Sequence, residues 1–199
     1  MSFEFDPSEE IGTGGTYLEE AGTYHLTVNT VGEGTGPKGN PITGFSIGCQ
    51  VMAGTTPGQE EKETSIVFFN PKLDGSEIAQ RINREQQTAF LIAAGLITPA
   101  DLGKKGLMID LQKAIGQQIM ATLVENEYNG RTTLQLRFAD VFHIDDPRAK
   151  AFPKNAETVA MIPVDLRKGE SFFAPLTAKK TAKQQPAAAA MSQDDLNDL

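Results

Sequence analysis

The stretch SIVFFNPKLDGSEIAQRINREQQTAFLIAAG, residues 65–95, decides the fold because the spacing of its apolar residues changes in the middle. Its first five residues form a short apolar run typical of a buried strand, and Asn70-Pro71 ends that run. From Ser76, a residue type that caps helices, the apolar residues fall mainly on one face at helical spacing. The stretch therefore predicts a strand, a turn, and a helix from about Ser76 to Ala94.

Two strands are predicted before this stretch, because apolar and polar residues alternate in two places. The first strand is centred on Leu26, with Tyr24 and Val28 on the same face, and the second is centred on Ile47. The turn-rich segment 32–41 joins the two strands.

Two more strands are predicted after the helix. Their alternating segments are separated by Asn129-Gly130, a dipeptide that favours a tight hairpin turn. In the second of these strands, Leu134, Leu136 and Phe138 are expected on the face that points to the core.

The predicted order is strand, strand, strand, helix, strand, strand, which is the connectivity of the OB-fold, a five-stranded and partly open barrel. We therefore predict a mainly β protein, an OB-fold with a helix between strands three and four, followed by a flexible C-terminal tail. The predicted divisions are a flexible N-terminal arm over 1–19, the OB-fold domain over 20–146, a basic and largely irregular tether over 147–191, and an acidic tip over 192–199.

Charge is distributed unevenly along the chain, whose net charge is −8. Residues 1–146 contain 20 acidic and 10 basic side chains, whereas residues 147–191 contain 8 basic and 3 acidic ones. A protein with this net charge that binds nucleic acid must use a local basic patch rather than its overall field.

The tip combines acidic and apolar side chains: Asp194, Asp195, Leu196, Asp198 and Leu199. This combination suits contact with a basic, apolar pocket of a partner protein, or with the chain's own basic groove. The plain alternative is a solubilising, disordered terminus.

The sequence lacks the motifs of common enzyme classes and of metal sites. It has no P-loop and no nucleophile elbow, and its adjacent acid pairs Glu60-Glu61 and Asp145-Asp146 point apart in an extended chain. One cysteine and two distant histidines do not suggest zinc. We therefore expect a protein that is not an enzyme and needs no cofactor or metal. The absence of an 18-residue apolar run and of a signal peptide predicts a cytoplasmic protein without membrane contact.

Single-strand binding requires aromatic faces for bases and cations for phosphates, and the predicted strand ends and loops supply both. Phe69 ends the third strand on the face opposite Ile66 and Phe68. The alternatives are ordinary packing for the aromatic residues and a solvated strand face for the basic ones. The candidate nucleic-acid-binding residues are Lys38, Lys62, Phe69, Tyr128, Arg131 and Arg137.

Three segments resemble a family of phage-encoded proteins that was long without a known function: Glu20–Tyr24, the Lys38-Gly39 loop and Glu125–Arg131. Members of that family are thought to be single-stranded DNA-binding OB-fold proteins, so the resemblance implies that fold and ligand over about residues 20–145. The tip is similar to the acidic C-terminal peptide of bacterial single-stranded DNA-binding proteins, which recruits replication and repair partners. It differs in ending Asn-Asp-Leu, without Pro-Phe.

Two hypotheses of function follow. The first is a sequence-independent single-stranded DNA-binding protein, phage-encoded as the resemblance implies. It would protect single strands in replication or recombination and recruit proteins of those processes through the tip. The second is a non-enzymatic structural or adaptor protein, such as a virion component, built on a β-barrel. The sequence leaves open RNA in place of DNA, because stacking tolerates both, and it leaves open a homo-oligomer.

Overall fold

The computed structural model describes residues 17–35, 41–70, 76–128 and 130–176. Its main elements are the strands β1 (Gly22–Thr35), β2 (Pro41–Gly54), β3 (Glu63–Phe69), β4 (Gln118–Tyr128) and β5 (Arg131–His143), and the helix α1 (Glu77–Ala93). The C-terminal part adds a 3-10 turn at Pro147–Ala151, a short helix α2 (Ala156–Ala160), a 3-10 turn at Val164–Leu166, and helical residues 170–176, here called α3.

The five strands form one antiparallel sheet in the order β3-β2-β1-β4-β5, and β3 and β5 are its two edges. The prediction of a mainly β protein with five strands is confirmed, and α1 lies between β3 and β4 in the chain. β1 is the central strand, since it pairs with β2 on one side and with β4 on the other.

The start of α1 follows from local chemistry. The Ser76 side chain accepts a hydrogen bond from the Ala79 backbone N–H at 3.2 Å, which satisfies one of the free amides of the first turn. Gly95 follows the helix with φ of 69°, a conformation that glycine adopts without steric cost. The observed helix, Glu77–Ala93, is one residue shorter at each end than the predicted one.

Three phenylalanines join the helix to the sheet. The ring centroid of Phe68 on β3 lies 4.9 Å from that of Phe45 on β2 and 4.9 Å from that of Phe90 on α1. Phe68 and Phe90 are fully buried. Aromatic pairs at such distances contribute about 0.5–1.5 kcal/mol each beyond the area they bury, so this cluster holds α1 against the β2–β3 side of the sheet.

The prediction that Phe138 faces the core is wrong, because β5 contains a large bulge. Leu136 pairs with Leu123 and Val141 pairs with Ala121, so residues 137–140 of β5 lie opposite the single residue between those partners on β4. The three additional residues reverse the alternation of faces. Phe138 consequently projects outward with 68% of its surface exposed.

The folded part of the chain extends past residue 146, where the sequence analysis ended the domain. Met120 and Phe142 lie on the sheet face opposite the main core, and they are buried there with Ile144 and Ala149 of the C-terminal part. Phe173 of α3 is also buried. Residues 147–176 therefore cover the outer face of β4 and β5 instead of forming an irregular tether. The rest of the predicted tether and the tip lie outside the described residues.

A buried hydrogen-bond chain fastens this covering segment to the centre of the sheet. The Asn155 backbone N–H donates to Nδ1 of His25 at 3.2 Å, so Nε2 carries the ring proton and donates to Oε1 of Gln118 at 3.0 Å. Nε2 of Gln118 in turn donates to the Thr158 carbonyl at 2.7 Å. His25 has no exposed surface, and burial lowers its pKa to about 4, although the Gln118 hydrogen bond partly opposes that shift.

The burial of His25 in this hydrogen-bond chain predicts that acid destabilises the protein at pH values above those at which its carboxylates titrate. Unfolding releases His25 to its ordinary pKa of 6.5 from a folded value of about 4, so the unfolded state binds the proton more tightly. The free energy of unfolding should therefore fall as the pH falls through this window, by up to about 2 kcal/mol between pH 7.5 and pH 5. Urea unfolding of the protein and of the His25→Gln variant at several pH values tests this. A variant that keeps the full pH slope of the unmodified protein would contradict it.

Candidate nucleic-acid interface

The C-terminal segment contacts the outer face of β2 at Met52, whose sulfur accepts a hydrogen bond from the Thr158 hydroxyl at 3.6 Å. Beyond that contact, the middle of the outer face of β2 and β3 is built from small residues. Ser65 of β3 pairs with Gly48 of β2, which pairs with Thr30 of β1. Gly48 cannot be enlarged without a local shift, because an added Cβ would lie 2.4 Å from the Thr30 hydroxyl oxygen. The middle of this face is therefore a floor of small residues, with the larger side chains Val67 and Glu63 on either side of Ser65.

Phe69 lies at the end of this floor with 45% of its surface exposed. Its neighbours Ile66 and Phe68 point to the core, so the alternation of β3 places Phe69 on the outer face. Gln87 of α1 donates to the Phe69 carbonyl at 3.1 Å and to the Asn70 side-chain oxygen at 2.8 Å. The helix thereby fixes the strand end that presents this ring.

Lys62 lies at the opposite end of β3 from Phe69. Seven residues separate them, a distance of about 23 Å along a strand. The Lys62 ammonium pairs with Glu19 at 3.2 Å, and its side chain is only 21% exposed. Lys62 therefore lies beside Glu19, close to the start of the first described segment, and not beside Phe69.

Arg137 projects from the β5 bulge and pairs with Asp140 at 2.7 Å. The adjacent residue pair, Leu136 and Leu123, lies level with Gly22, the first residue of β1. Phe69 instead pairs with Gly44, one residue beyond the partner of Glu33 near the other end of β1. Along β1 the two levels are eleven residues apart, but α1 lies against both: Gln87 donates to the Phe69 carbonyl, and Arg84 of the same helix lines a groove together with Phe138.

The remaining candidates are described only in part or not at all. The backbones of Tyr128 and Arg131 pair at the tip of the β4–β5 hairpin, at the Arg137 end of the sheet, but their side chains lie outside the described part of the structure. Lys38 lies outside it as well, and so do all the predicted partner-binding residues: Asp194, Asp195, Leu196, Asp198 and Leu199.

The basic residues of the predicted tether are largely used for folding. Arg148 makes a bidentate pair with buried Asp146, with contacts of 2.9 and 2.6 Å, and Lys150 pairs with Glu170. Arg167 makes a second bidentate pair with Asp145. Burial opposes ionisation of Asp145, but the bonds from Arg167 and the Lys168 backbone hold its pKa below the usual value.

Two further bases of this segment are engaged in its packing. The Lys154 ammonium donates to the Ile144 carbonyl at 2.9 Å, and that of Lys168 lies 5.6 Å from the centroid of the Phe172 ring. The sequence analysis counted eight bases in this segment. The five bases up to residue 168 thus make contacts within the C-terminal segment or with the residues that directly follow β5. The other three, Lys179, Lys180 and Lys183, lie outside the described residues.

Phe138 is the exposed aromatic residue that the sequence analysis missed. The sequence gives no signal for it, because Leu134, Leu136 and Phe138 alternate regularly; only the structure shows that the core-facing residues of β5 change from the even positions Leu134 and Leu136 to the odd position Val141. Such a change of phase requires an odd number of inserted residues, which is a bulge.

No catalytic or metal-binding arrangement stands out in the described residues. Within them, no group of three or more His, Cys, Asp or Glu side chains is placed to hold a metal ion. The Cys49 thiol is buried, and burial raises its pKa to about 12, so it is protonated at neutral pH. None of the helices described is long and apolar enough to cross a membrane.

Comparison with known proteins does not assign a family to the chain. No protein-family model matches it, and no curated protein matches its sequence.

Proposed function

We propose that the protein has an OB-fold and binds single-stranded DNA without sequence preference. The observation that carries this proposal is the open β2–β3 face, a floor of small residues that ends at the exposed ring of Phe69. OB-folds bind oligonucleotides on the face of strands two and three, and single strands bind by stacking bases on aromatic side chains. The position of α1 between β3 and β4 supports the same fold.

Phosphate contacts are the second part of the proposal. Lys38 stands in the sequence between β1 and β2, and Arg131 belongs to the β4–β5 hairpin; the corresponding connections flank the ligand face of an OB-fold. Lys62 and Arg137 have carboxylate partners, but such partly exposed ion pairs contribute only about 0–1 kcal/mol and exchange readily for a phosphate. The protein would protect single strands during replication or recombination, as the family resemblance implies.

The stacking role of Phe69 is tested by the Phe69→Ala variant. Loss of one stacking platform should weaken binding of an oligo(dT) by about 1–3 kcal/mol, roughly 5- to 150-fold. Val164→Ala is a matched control, since Val164 is 88% exposed and belongs to the C-terminal segment. Fluorescence anisotropy at low salt measures both affinities. An unchanged affinity of folded Phe69→Ala protein would show that the ligand does not use this face.

We further propose that the tip, 192–199, competes with DNA for the basic groups and recruits replication or recombination proteins. Deleting the tip should tighten DNA binding at low salt, change it little at high salt because salt screens exposed charges, and abolish recruitment of a partner. Titrations of full-length and truncated protein at two salt concentrations measure the first two effects. Weaker DNA binding after the deletion would refute competition.

The alternative is a non-enzymatic structural or adaptor protein, and one surface favours it. Met108 is 97% exposed, and Leu107 and Ile115 nearby in the chain are 43% and 45% exposed. An exposed apolar group of this kind is typical of a protein contact, including one with a second copy of the chain. Folded protein that fails to bind single strands even at low salt would favour this alternative.

A further inference from the structure

A groove of about 530 Å³ lies between α1, the bulged half of β5 and α3. Its floor is apolar and is formed by Ala89, Ile92, Ala93, Val141 and Leu176. Phe138 also lines the groove, with most of its ring surface open to solvent. The volume lies in the range of pockets that bind small ligands.

Two features of Phe138, its backbone conformation and its exposed ring, are unfavourable in the free protein. Its φ of 47° is in the left-handed region, which costs a residue with a large side chain on the order of 1–3 kcal/mol. Its ring is 68% exposed, so burial of the side chain does not offset that cost in the free protein. A strained and exposed aromatic residue on a bulge is typical of a binding surface, because a ligand supplies the missing contact.

Arginines surround the groove. Arg84 and Arg148 line it, Arg137 precedes Phe138, and Arg81 lies one turn before Arg84 on α1. These are four of the six arginines in a chain of net charge −8. Guanidinium groups bind phosphate in a bidentate manner and also stack on bases, which distinguishes them from lysines.

The carboxylates near the groove are already neutralised. Three acids are each paired with an arginine: Glu85 with Arg81 at 3.9 Å, Asp140 with Arg137 at 2.7 Å, and Asp146 with Arg148 at 2.6 Å. Arg84 donates to the neutral amide oxygen of Gln80 at 3.4 Å. The lining itself has two arginines, Arg84 and Arg148, against three acids, and Arg81 and Arg137 beside the groove pair with two of those acids. Arg84, which bonds a neutral amide, is therefore the guanidinium best placed to bind a phosphate.

We propose that this groove is a second nucleotide-binding subsite, in which a base stacks on Phe138 and the adjoining phosphate contacts Arg84 and Arg137. The proposal rests on the single-strand binding proposed above and extends it from the β2–β3 face to the α1 side of the molecule. Arg148 stays with buried Asp146 and over the Phe142 ring, 4.3 Å from its centroid, and this neutral ion pair forms one wall of the subsite.

The absence of tryptophan from the chain allows a direct test. Phe138→Trp and Phe69→Trp each introduce one fluorophore, at the groove and at the β2–β3 face respectively. Saturating oligo(dT) should quench the emission of both variants, because bases stack on the indole rings. If oligo(dT) quenches the emission of the Phe69→Trp variant but leaves that of the Phe138→Trp variant unchanged, the proposed subsite is wrong, and single-strand binding on the β2–β3 face still holds.

A second variant separates binding from folding. Phe138→Gly removes the ring and relieves the left-handed strain, so the urea midpoint should stay the same or rise. Oligo(dT) affinity should nevertheless fall roughly 5- to 150-fold. Unchanged affinity would overturn the subsite.

Two further outcomes would also contradict the proposal. If neither tryptophan variant nor the unmodified protein binds oligo(dT) at low salt, single-strand binding itself fails and the subsite fails with it. If the emission of Phe138→Trp shifts with protein concentration in the absence of DNA, the groove is occupied by a second copy of the chain instead of a nucleotide.

Discussion

The hydrogen-bond chain from Asn155 through His25 and Gln118 to Thr158 determines which surfaces of the sheet are free. It joins the centre of the sheet to a segment that the charge pattern alone would assign to a tether. This segment covers the outer face of β4 and β5 and contacts β2 only at Met52 among the contacts described, so the part of the β2–β3 face between Met52 and Phe69 forms the floor. His25 and the carboxylates of Asp145 and Asp146, which pair with Arg167 and Arg148, serve this attachment.

The strands and α1 were predictable because their residues follow regular backbone periods. Ile66 and Phe68 alternate with exposed neighbours, and Ser76 caps α1 as expected. The β5 bulge was not predicted, because Leu134, Leu136 and Phe138 keep a perfect alternation while the backbone itself does not. The folding of residues 147–176 onto the sheet was missed for another reason. A sum of charges does not reveal that Arg148 pairs with Asp146 two residues away, or that Arg167 pairs with Asp145, which is 22 residues away in the chain.

This use of basic residues changes the chemistry expected of the candidate interface. The predicted site combined several cations and two aromatic rings, whereas Lys62 lies at the other end of β3 from Phe69, and Lys62 and Arg137 both have carboxylate partners. Binding through such a surface would depend more on stacking than on phosphate neutralisation. A small number of phosphate contacts implies that affinity depends only weakly on salt. Each phosphate contact to a single strand adds about 0.7 to the slope of log affinity against log salt concentration. The arginines around Phe138 would extend the path of the bound DNA to the groove. A base stacked on Phe138 would then supply the contact that this strained residue lacks in the free protein.

The central claim is that this protein recognises splayed bases on a β surface. The most direct measurement is the affinity of the full chain for a labelled oligo(dT) and for a duplex of equal length, over a series of salt concentrations. The account predicts micromolar or tighter binding of the single strand, a shallow loss of affinity as salt rises, and much weaker binding of the duplex. Equal affinity for single strand and duplex, or no binding of oligo(dT) by folded protein at low salt, would contradict it.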